Sequence, residues 1–223
     1  MTRRYARLVG LTVLAVAVVR TPSDALQETP TLQQITEVHI RADAGDAAAQ
    51  VTLGGWYFAG SGMPQDTDEG VRWWRQAAEQ GHAAAQFNLG YKYATGEGVP
   101  QDDVEAVAWY RKAAEQGHAD AQFNLGVMYR TGRGVPQDYD QEAEWYRKAA
   151  EQGNAMAQAK LGVMYGQGSG VPQDYGQAHK WFNLAAAQGL EDAKKGRDIV
   201  AEKMTPSQIE RAQTLAAEWR PKK

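Results

Sequence analysis

Histidine and glutamate side chains, which can bind metal ions or transfer protons, recur at a regular spacing in this sequence. His82 and His118 are 36 residues apart, and Glu79, Glu115 and Glu151 follow the same step. Equivalent helices packed side by side lie about 10 Å apart, whereas the ligands of one zinc ion lie about 2 Å from it. We therefore predict no metal site at the histidines. At the glutamates we predict solvated ion pairs with preceding Lys or Arg side chains rather than acid–base catalysis.

The other residue patterns that carry chemistry are weak or missing. Cysteine is absent, and Ser61 and Ser169 lie in equivalent glycine-rich loops. None of these loops continues into the Gly-Lys-Ser/Thr sequence that binds phosphate. Because no nucleophile or metal cluster stands out, we predict that the chain is not an enzyme and needs no cofactor.

One phrase is repeated along the chain: WYRKAAEQG occupies 109–117 and again 145–153. Looser copies occupy 73–81 and 181–189, each 36 residues from its neighbour, and Pro-Gln-Asp recurs with the same step. Internal repeats of this length are typical of solenoids, in which each unit buries its apolar face against its neighbours. The predicted units are 46–81, 82–117, 118–153 and 154–189.

Each unit has the pattern of two helices joined by a glycine-rich turn. In the second unit, small and apolar residues recur every four positions along the first helix, and Gly96 and Gly98 end it. Asp102 and Glu105 then form a predicted capping box, in which the Asp side chain accepts from a free backbone N–H and the Glu side chain reaches back. Each unit is therefore predicted to be a helical hairpin. The equivalent aspartates of the other units are Asp66, Asp138 and Asp174.

A glycine follows a leucine inside each predicted first helix. Glycine in a helix costs about 1 kcal/mol relative to alanine. Its recurrence in every unit predicts a close crossing of two helices, which a side chain would obstruct. These glycines are Gly54, Gly90, Gly126 and Gly162.

The segments on either side of the repeats are predicted to cap the solenoid. Residues 31–45 align with a second helix alone, and the repeat pattern decays across 190–223. In the latter segment, Thr205 and Gln208 form a capping box that opens a last helix. An open solenoid needs such helices to cover its terminal faces.

The first 25 residues have the composition of an export signal. A basic start with Arg3 and Arg4 precedes an apolar stretch over 8–19, which is short for the roughly 20 residues that a membrane span needs. We predict a signal peptide over 1–25 and a periplasmic or secreted protein, with an uncleaved membrane anchor as the alternative. The net charge of −3, without a basic stripe, argues against nucleic acid as a partner.

The units share the pattern A-x-A-Q-x-x-L-G-x-x-Y-x-x-G-x-G-V-P-Q-D, followed by A-x-x-W-Y-x-K-A-A-E-x-G. This pattern resembles the Sel-one-like repeat, a relative of the tetratricopeptide repeat, and it covers the four units closely and the flanking segments loosely. The resemblance implies an all-α fold, a right-handed α-solenoid of antiparallel helical hairpins that acts as an adaptor or assembly platform. Members are often exported bacterial proteins that hold envelope, signalling or secretion components together.

The resemblance also implies a binding surface. In related solenoids the first helix of each unit lines the concave side, which here would carry apolar, partly aromatic side chains and a row of amides able to hold a peptide backbone. Phe87 and Phe123 have an alternative interpretation, because both could pack between units. The candidate partner-binding residues are Phe87, Asn88, Tyr91, Phe123, Asn124 and Val127.

We therefore expect a non-catalytic scaffold of the bacterial cell envelope that binds a peptide or protein partner. We expect no metal and no nucleic acid, and membrane contact only through the N-terminal segment if it stays uncleaved. One alternative is a cell-wall or β-lactam hydrolase, as described for cysteine-rich relatives whose paired cysteines are missing here. The other alternative is a membrane-anchored assembly factor.

Overall fold

The chain folds into α-helices that follow one another as antiparallel pairs. The computed structural model describes residues 29–222 and has no strand within that range. The predicted signal peptide over 1–25 lies outside the described residues. The eleven helices of the described range are α1 (Leu32–Asp43), α2 (Ala47–Ala59), α3 (Thr67–Glu79), α4 (Ala83–Thr95), α5 (Asp103–Glu115), α6 (Ala119–Thr131), α7 (Tyr139–Glu151), α8 (Ala155–Gln167), α9 (Tyr175–Ala187), α10 (Glu191–Ala201) and α11 (Pro206–Ala217).

Four helical hairpins form the body of the molecule. Their first helices are α2, α4, α6 and α8, and their second helices are α3, α5, α7 and α9. Each second helix also packs against the first helix of the next hairpin, so that the hairpins stack in chain order. Helix α1 packs against α2 at one end, while α10 and α11 pack against α9 at the other. This arrangement is the all-α solenoid that the repeats predict.

An aspartate begins each second helix, but the reciprocal half of the predicted capping box does not form there. The side chain of Asp102 accepts from the backbone N–H of Glu105 at 3.0 Å. The backbone N–H of Asp102, which Glu105 was expected to bind, donates instead to the carbonyl of Tyr93 at 2.9 Å and closes the loop after α4. The prediction of a full capping box was therefore wrong at these positions. The equivalent loop-closing pairs are Asp66 with Tyr57, Asp138 with Tyr129, and Asp174 with Tyr165.

The glycine inside each first helix lies against an aromatic ring of the second helix of the same hairpin. A Cβ atom at Gly126 would lie 2.6 Å from the Tyr146 ring, and one at Gly90 would lie 2.6 Å from the Tyr110 ring. Real Cβ atoms do not approach other atoms this closely, so the predicted close crossing is confirmed. The remaining pairs are Gly54 with Trp74 and Gly162 with Phe182.

The tryptophan that opens the repeated phrase fills space between neighbouring hairpins. Trp145 is buried in one cluster with Ala113 of the preceding second helix and Leu125 of its own first helix. Trp181 occupies the same position in a cluster with Ala149. Small alanines and a large ring thus form one continuous core along the stack.

Buried glutamines link each hairpin to the preceding one. The Nε2 of Gln86 in α4 donates to the carbonyl of Ala78 in α3 at 3.0 Å, and its Oε1 accepts from the Nε2 of Gln116 at 2.7 Å. Both polar atoms are thereby paired, which matters because an unpaired buried polar group costs about 1–3 kcal/mol. The same relay joins Gln50 with Ala42 and Gln80, Gln122 with Ala114 and Gln152, and Gln158 with Ala150 and Gln188.

Candidate functional site

One side of the first helices stays uncovered when the hairpins stack. Their leucines and internal glycines are buried, whereas Tyr91 is 43% exposed, Met156 47% and Val163 40%. Exposed apolar side chains that lie together are typical of a surface that a partner covers. We call this surface the first-helix face. It comprises Ala84, Tyr91, Thr95, Asp120, Val127, Thr131, Met156, Val163 and Gln167, with Asn88, Asn124 and Lys160 along one edge.

The two predicted phenylalanines lie partly inside the core that joins the hairpins. The ring of Phe87 stacks on the ring of His118 with their centroids 4.8 Å apart. The ring of Phe123 stacks on the ring of Tyr146 with a centroid distance of 5.4 Å. Both phenylalanines are half-buried against core clusters that join the second helix of their own hairpin to the following hairpin. Their position therefore matches the alternative interpretation, in which they pack between units.

Of the other four predicted residues, one is exposed and three are half-buried. Tyr91 is exposed, and Asn88 and Asn124 are half-buried. Neither asparagine amide makes a side-chain hydrogen bond within residues 29–222. Val127 is half-buried and packs against the cluster that contains Tyr146. The first-helix face thus offers unused amide donors and acceptors beside apolar side chains, which suits an extended peptide.

A charged cluster at the boundary between the third and fourth hairpins was not predicted. Glu142 of α7 has only 5% of its side chain exposed, and its Oε1 lies 3.9 Å from the Nε of Arg130 in α6. Lys160 of α8 is the second cation that acts on this carboxyl. The hydroxyl of Tyr146 is fully buried and has no hydrogen-bond partner in the described part of the chain.

Burial dominates the electrostatics of this cluster. It raises the pKa of the Glu142 carboxyl above its ordinary value, although Arg130 and Lys160 act in the opposite direction. Burial also raises the pKa of the Tyr146 phenol, and the Glu142 charge adds to that effect. The Arg130 side chain, by contrast, is 51% exposed. The acid is therefore enclosed, while a cation beside it faces solvent.

These residues depart from the repeat at their positions. Glu142 and Arg130 each replace a small or apolar residue of the other hairpins, and Lys160 replaces an uncharged polar one. Residues that break a local pattern without an evident structural gain often mark a functional site. Each departure is a single change in the sequence, and only the packing of three helices brings them together. The equivalents are Gly70, Ala106 and Ala178 for Glu142, Phe58, Ala94 and Gly166 for Arg130, and Thr52, Asn88 and Asn124 for Lys160.

Two further kinds of functional feature, a metal site and a membrane span, are absent from residues 29–222. This range holds no group of three His, Asp or Glu side chains that could bind a metal ion. It contains no helix that is both long and apolar enough to cross a membrane. His82 and His118 are the N-cap residues of α4 and α6, and the Nδ1 of His118 accepts from the backbone N–H of Ala121 at 3.3 Å. These histidines therefore lie at helix starts.

Known proteins share this architecture. The Sel1 repeat model matches four consecutive segments, 47–82, 83–118, 119–154 and 155–190. A protective antigen of uropathogenic Escherichia coli that displays an SLR fold is 40% identical, with a TM-score of 0.75, over 83% of this chain and 39% of that chain. A Sel1 repeat protein from Oxalobacter formigenes is 34% identical, with a TM-score of 0.71, over 84% of this chain and 79% of that chain.

More distant similarity concerns the fold alone. An immunity protein from Pseudomonas aeruginosa is 20% identical, with a TM-score of 0.50, over 88% of this chain and 78% of that chain. None of the curated proteins compared matches the chain. The chain spans 39% of the length of the E. coli antigen. Because the repeat model covers residues 47–190 without a gap, and the O. formigenes protein aligns over most of both chains, this chain belongs to the Sel1 repeat family.

Proposed function

We propose that this protein is a non-catalytic scaffold that binds an extended peptide segment of a protein partner on its first-helix face. Sel1 repeat proteins are generally protein-interaction scaffolds and are typically non-catalytic. We further propose that it works in the bacterial cell envelope, as a periplasmic or secreted protein. The sequence of residues 1–25 supports that location, and mass spectrometry of the N-terminus of the protein isolated from its host would test whether the segment is removed.

A single observation supports the choice of surface. Tyr91, Met156 and Val163 stay exposed on α4 and α8, whose leucines are fully buried. Beside them, the amides of Asn88 and Asn124 make no side-chain hydrogen bond within residues 29–222. An extended peptide could bury the apolar side chains and pair its backbone with the amides, so one ligand would satisfy both features.

Selection from a displayed library of random peptides would test this surface. Peptides enriched on the wild-type chain would be labelled, and their Kd measured against a Tyr91→Asp/Val163→Asp variant. A Val104→Asp/Ile199→Asp variant is the matched control, because it places the same charges on exposed apolar residues outside the face. We expect binding to weaken roughly tenfold or more in the first variant only.

Three results would contradict the proposal. Equal Kd values in both variants would move the site away from the first-helix face. Failure of the library to enrich any peptide would argue against peptide binding. Hydrolysis of a chromogenic β-lactam by the pure protein, abolished by a point substitution, would argue against a non-catalytic role.

A further inference from the structure

Two cations at the boundary between the third and fourth hairpins have donors without a close partner. Arg130 makes only loose contacts within residues 29–222: its Nε lies 3.9 Å from the Glu142 carboxyl, the Tyr146 hydroxyl is another polar neighbour, and 51% of its side chain is exposed. The Lys160 side chain makes no hydrogen bond within the same range. Other arginines of the repeats are engaged: Arg75, Arg111 and Arg147 donate to tyrosine hydroxyls, and Arg133 donates to Asp103 and Ala94.

The unused donors of Arg130 and Lys160 lie on one surface. Arg130 is one turn beyond Val127 on α6, and Lys160 is one turn before Val163 on α8, so each cation neighbours an apolar residue of the first-helix face. The other charged residues of the first helices are already paired. Lys92 binds Glu97 at 2.8 Å, and Asp120 accepts from Asn154 at 2.8 Å.

Glu142 accounts for the placement of the guanidinium group. Its enclosed carboxyl lies 3.9 Å from the Nε of Arg130, with no other donor bound to it within residues 29–222. A carboxyl beneath the guanidinium attracts one side of it and leaves the remaining N–H groups available on the solvent side. Because so little of Glu142 is exposed, we regard it as a positioning residue rather than a contact for the partner.

We propose that Arg130 and Lys160 bind the side-chain carboxylate of an Asp or Glu within the partner's peptide segment, and that Glu142 positions Arg130 for this contact. This inference rests on the proposed function and adds the chemistry of the ligand. A carboxylate accepts from a guanidinium in a two-pronged geometry, and these charge-assisted bonds are stronger than neutral ones. Val127 and Val163 lie beside the two cations, so the acid would have apolar neighbours in the bound segment.

The row of exposed side chains favours an internal acidic residue over a free C-terminus. The first-helix face continues from this boundary to Tyr91 on α4. A segment that contacts Tyr91, the two cations and Met156 must therefore carry chain on both sides of its acidic residue. A peptide that ended at the cations would leave the remaining surface of α8, including Met156, uncovered.

The test compares peptides selected on different variants of the full chain. Random peptides displayed with blocked C-termini would be selected on the wild type, on Arg130→Gln/Lys160→Gln, and on Lys194→Gln/Lys195→Gln. The last variant removes the same charge from exposed positions of α10, outside the face. We expect the wild type and the α10 variant to enrich an internal Asp or Glu flanked by apolar residues, and Arg130→Gln/Lys160→Gln to lose that preference.

Affinity then measures the charge contact directly. A selected peptide should bind roughly ten- to a hundredfold more tightly than the same peptide with Asp→Asn or Glu→Gln. In Arg130→Gln/Lys160→Gln this difference should vanish, while circular dichroism shows that the helices stay folded at the temperature of the binding measurement. A Glu142→Gln variant should shrink the difference without abolishing peptide binding.

The outcomes separate this inference from the proposed function. Enriched peptides that bind the first-helix face without an acidic preference would overturn the carboxylate contact and leave the scaffold role in place. A preference restricted to free C-terminal carboxylates, tested with unblocked peptides, would overturn the internal-residue assignment. Absence of any enriched peptide would count against the proposed function itself.

Discussion

The side chains of Gln116 and Gln86 are joined by a hydrogen bond of 2.7 Å, although the two residues are 30 positions apart in the chain. Gln116 caps the end of α5, whereas Gln86 is buried in α4 and donates to a carbonyl of α3. The pair therefore connects the ends of two consecutive second helices through the first helix between them. Because the same geometry recurs in every hairpin, we expect it to contribute to stability along the whole stack.

Replacing Gln122 by Met should destabilise the protein. The substitution removes the hydrogen bond between Gln122 and the Ala114 carbonyl, which then keeps only its backbone bond from Gly117, and leaves the Nε2 of the half-buried Gln152 without its acceptor. We expect the free energy of unfolding to fall by about 1–3 kcal/mol, measured by urea denaturation. Gln213→Met is the control, because Gln213 is exposed and makes no side-chain hydrogen bond within the described range. Equal losses in both variants would show that the relay has no particular energetic role.

Two adjacent glycines should respond in opposite directions to alanine. A Cβ atom at Gly54 would lie 2.6 Å from the ring of Trp74, whereas one at Gly55 would meet nothing within 4 Å. Gly55→Ala should stabilise α2 by about 1 kcal/mol through helix propensity. Gly54→Ala should destabilise the protein by about 1–3 kcal/mol, because it overpacks the crossing. Thermal melting of both variants tests this, and a Gly54→Ala variant as stable as Gly55→Ala would contradict the close crossing.

The architecture follows from the sequence further than the site does. Glycine, Pro-Gln-Asp and tryptophan recur in every unit, so their roles at the turn, the helix start and the core follow from local rules. The capping box at Thr205 and Gln208 forms as predicted. The box at Asp102 fails because the competing partner is the Tyr93 carbonyl, and propensity rules for a single helix do not include the helix before it.

The parts that could not be predicted depend on contacts between units. Gln86 has the pattern of an ordinary polar helix residue, and its two hydrogen-bond partners lie 8 and 30 positions away. Glu142, Arg130 and Lys160 belong to three helices, and their proximity is a property of the packing. Phe87 was ambiguous for the same reason, since a residue at the edge of a helix face can serve either the core or the surface.

Replacing Glu142 by Ala should stabilise the protein at neutral pH. Burial raises the pKa of Glu142 in the folded state. The free energy of unfolding therefore falls as the pH rises from the unfolded-state pKa through the folded-state pKa, because ionising this carboxyl costs more in the folded protein. Alanine is the residue of the equivalent positions 106 and 178. We expect a gain of about 0.5–2 kcal/mol near neutral pH, as for other consensus substitutions. The gain should shrink at about pH 3, more than one unit below the ordinary Glu pKa of about 4.3, where the carboxyl is protonated in both states.

Melting curves of the wild type and Glu142→Ala at both pH values would test this. Arg130→Gln is a useful control, because it removes the neighbouring charge and keeps the buried carboxyl. A loss of stability in Glu142→Ala that is equal at both pH values would mean that the Glu142 side chain stabilises the fold. It would contradict a role for Glu142 in positioning Arg130 at a cost in stability.

Replacing His179 by Val should reduce the acid sensitivity of the fold. His179 is buried in α9, its Nδ1 has no hydrogen-bond partner among residues 29–222, and burial, followed by the charge of Arg197, lowers its pKa. Because the folded-state pKa is below the unfolded value of about 6.5, stability falls as the pH drops below that value. Valine occupies the equivalent positions 71 and 107, so the change suits the core.

The measurement is the melting temperature of both proteins between about pH 7.5 and pH 5, a range that spans the ordinary pKa of histidine. We expect the advantage of the variant to grow as the pH falls. His118→Val is the control, since His118 is half-buried and its Nδ1 is already hydrogen-bonded. A constant difference across the range would show that His179 does not contribute to acid destabilisation.

The glutamine relay also bears on how such a gene can change in length. Each hairpin receives a carbonyl from the one before and offers an identical carbonyl to the one after, through Ala78, Ala114 and Ala150. If 36 codons are removed or duplicated, each buried glutamine side chain can therefore still donate to an alanine carbonyl of the preceding unit. Unequal recombination between repeats can lengthen or shorten the stack in whole units, while point mutations change one unit at a time, and Glu142 and Arg130 are differences of that single-unit kind.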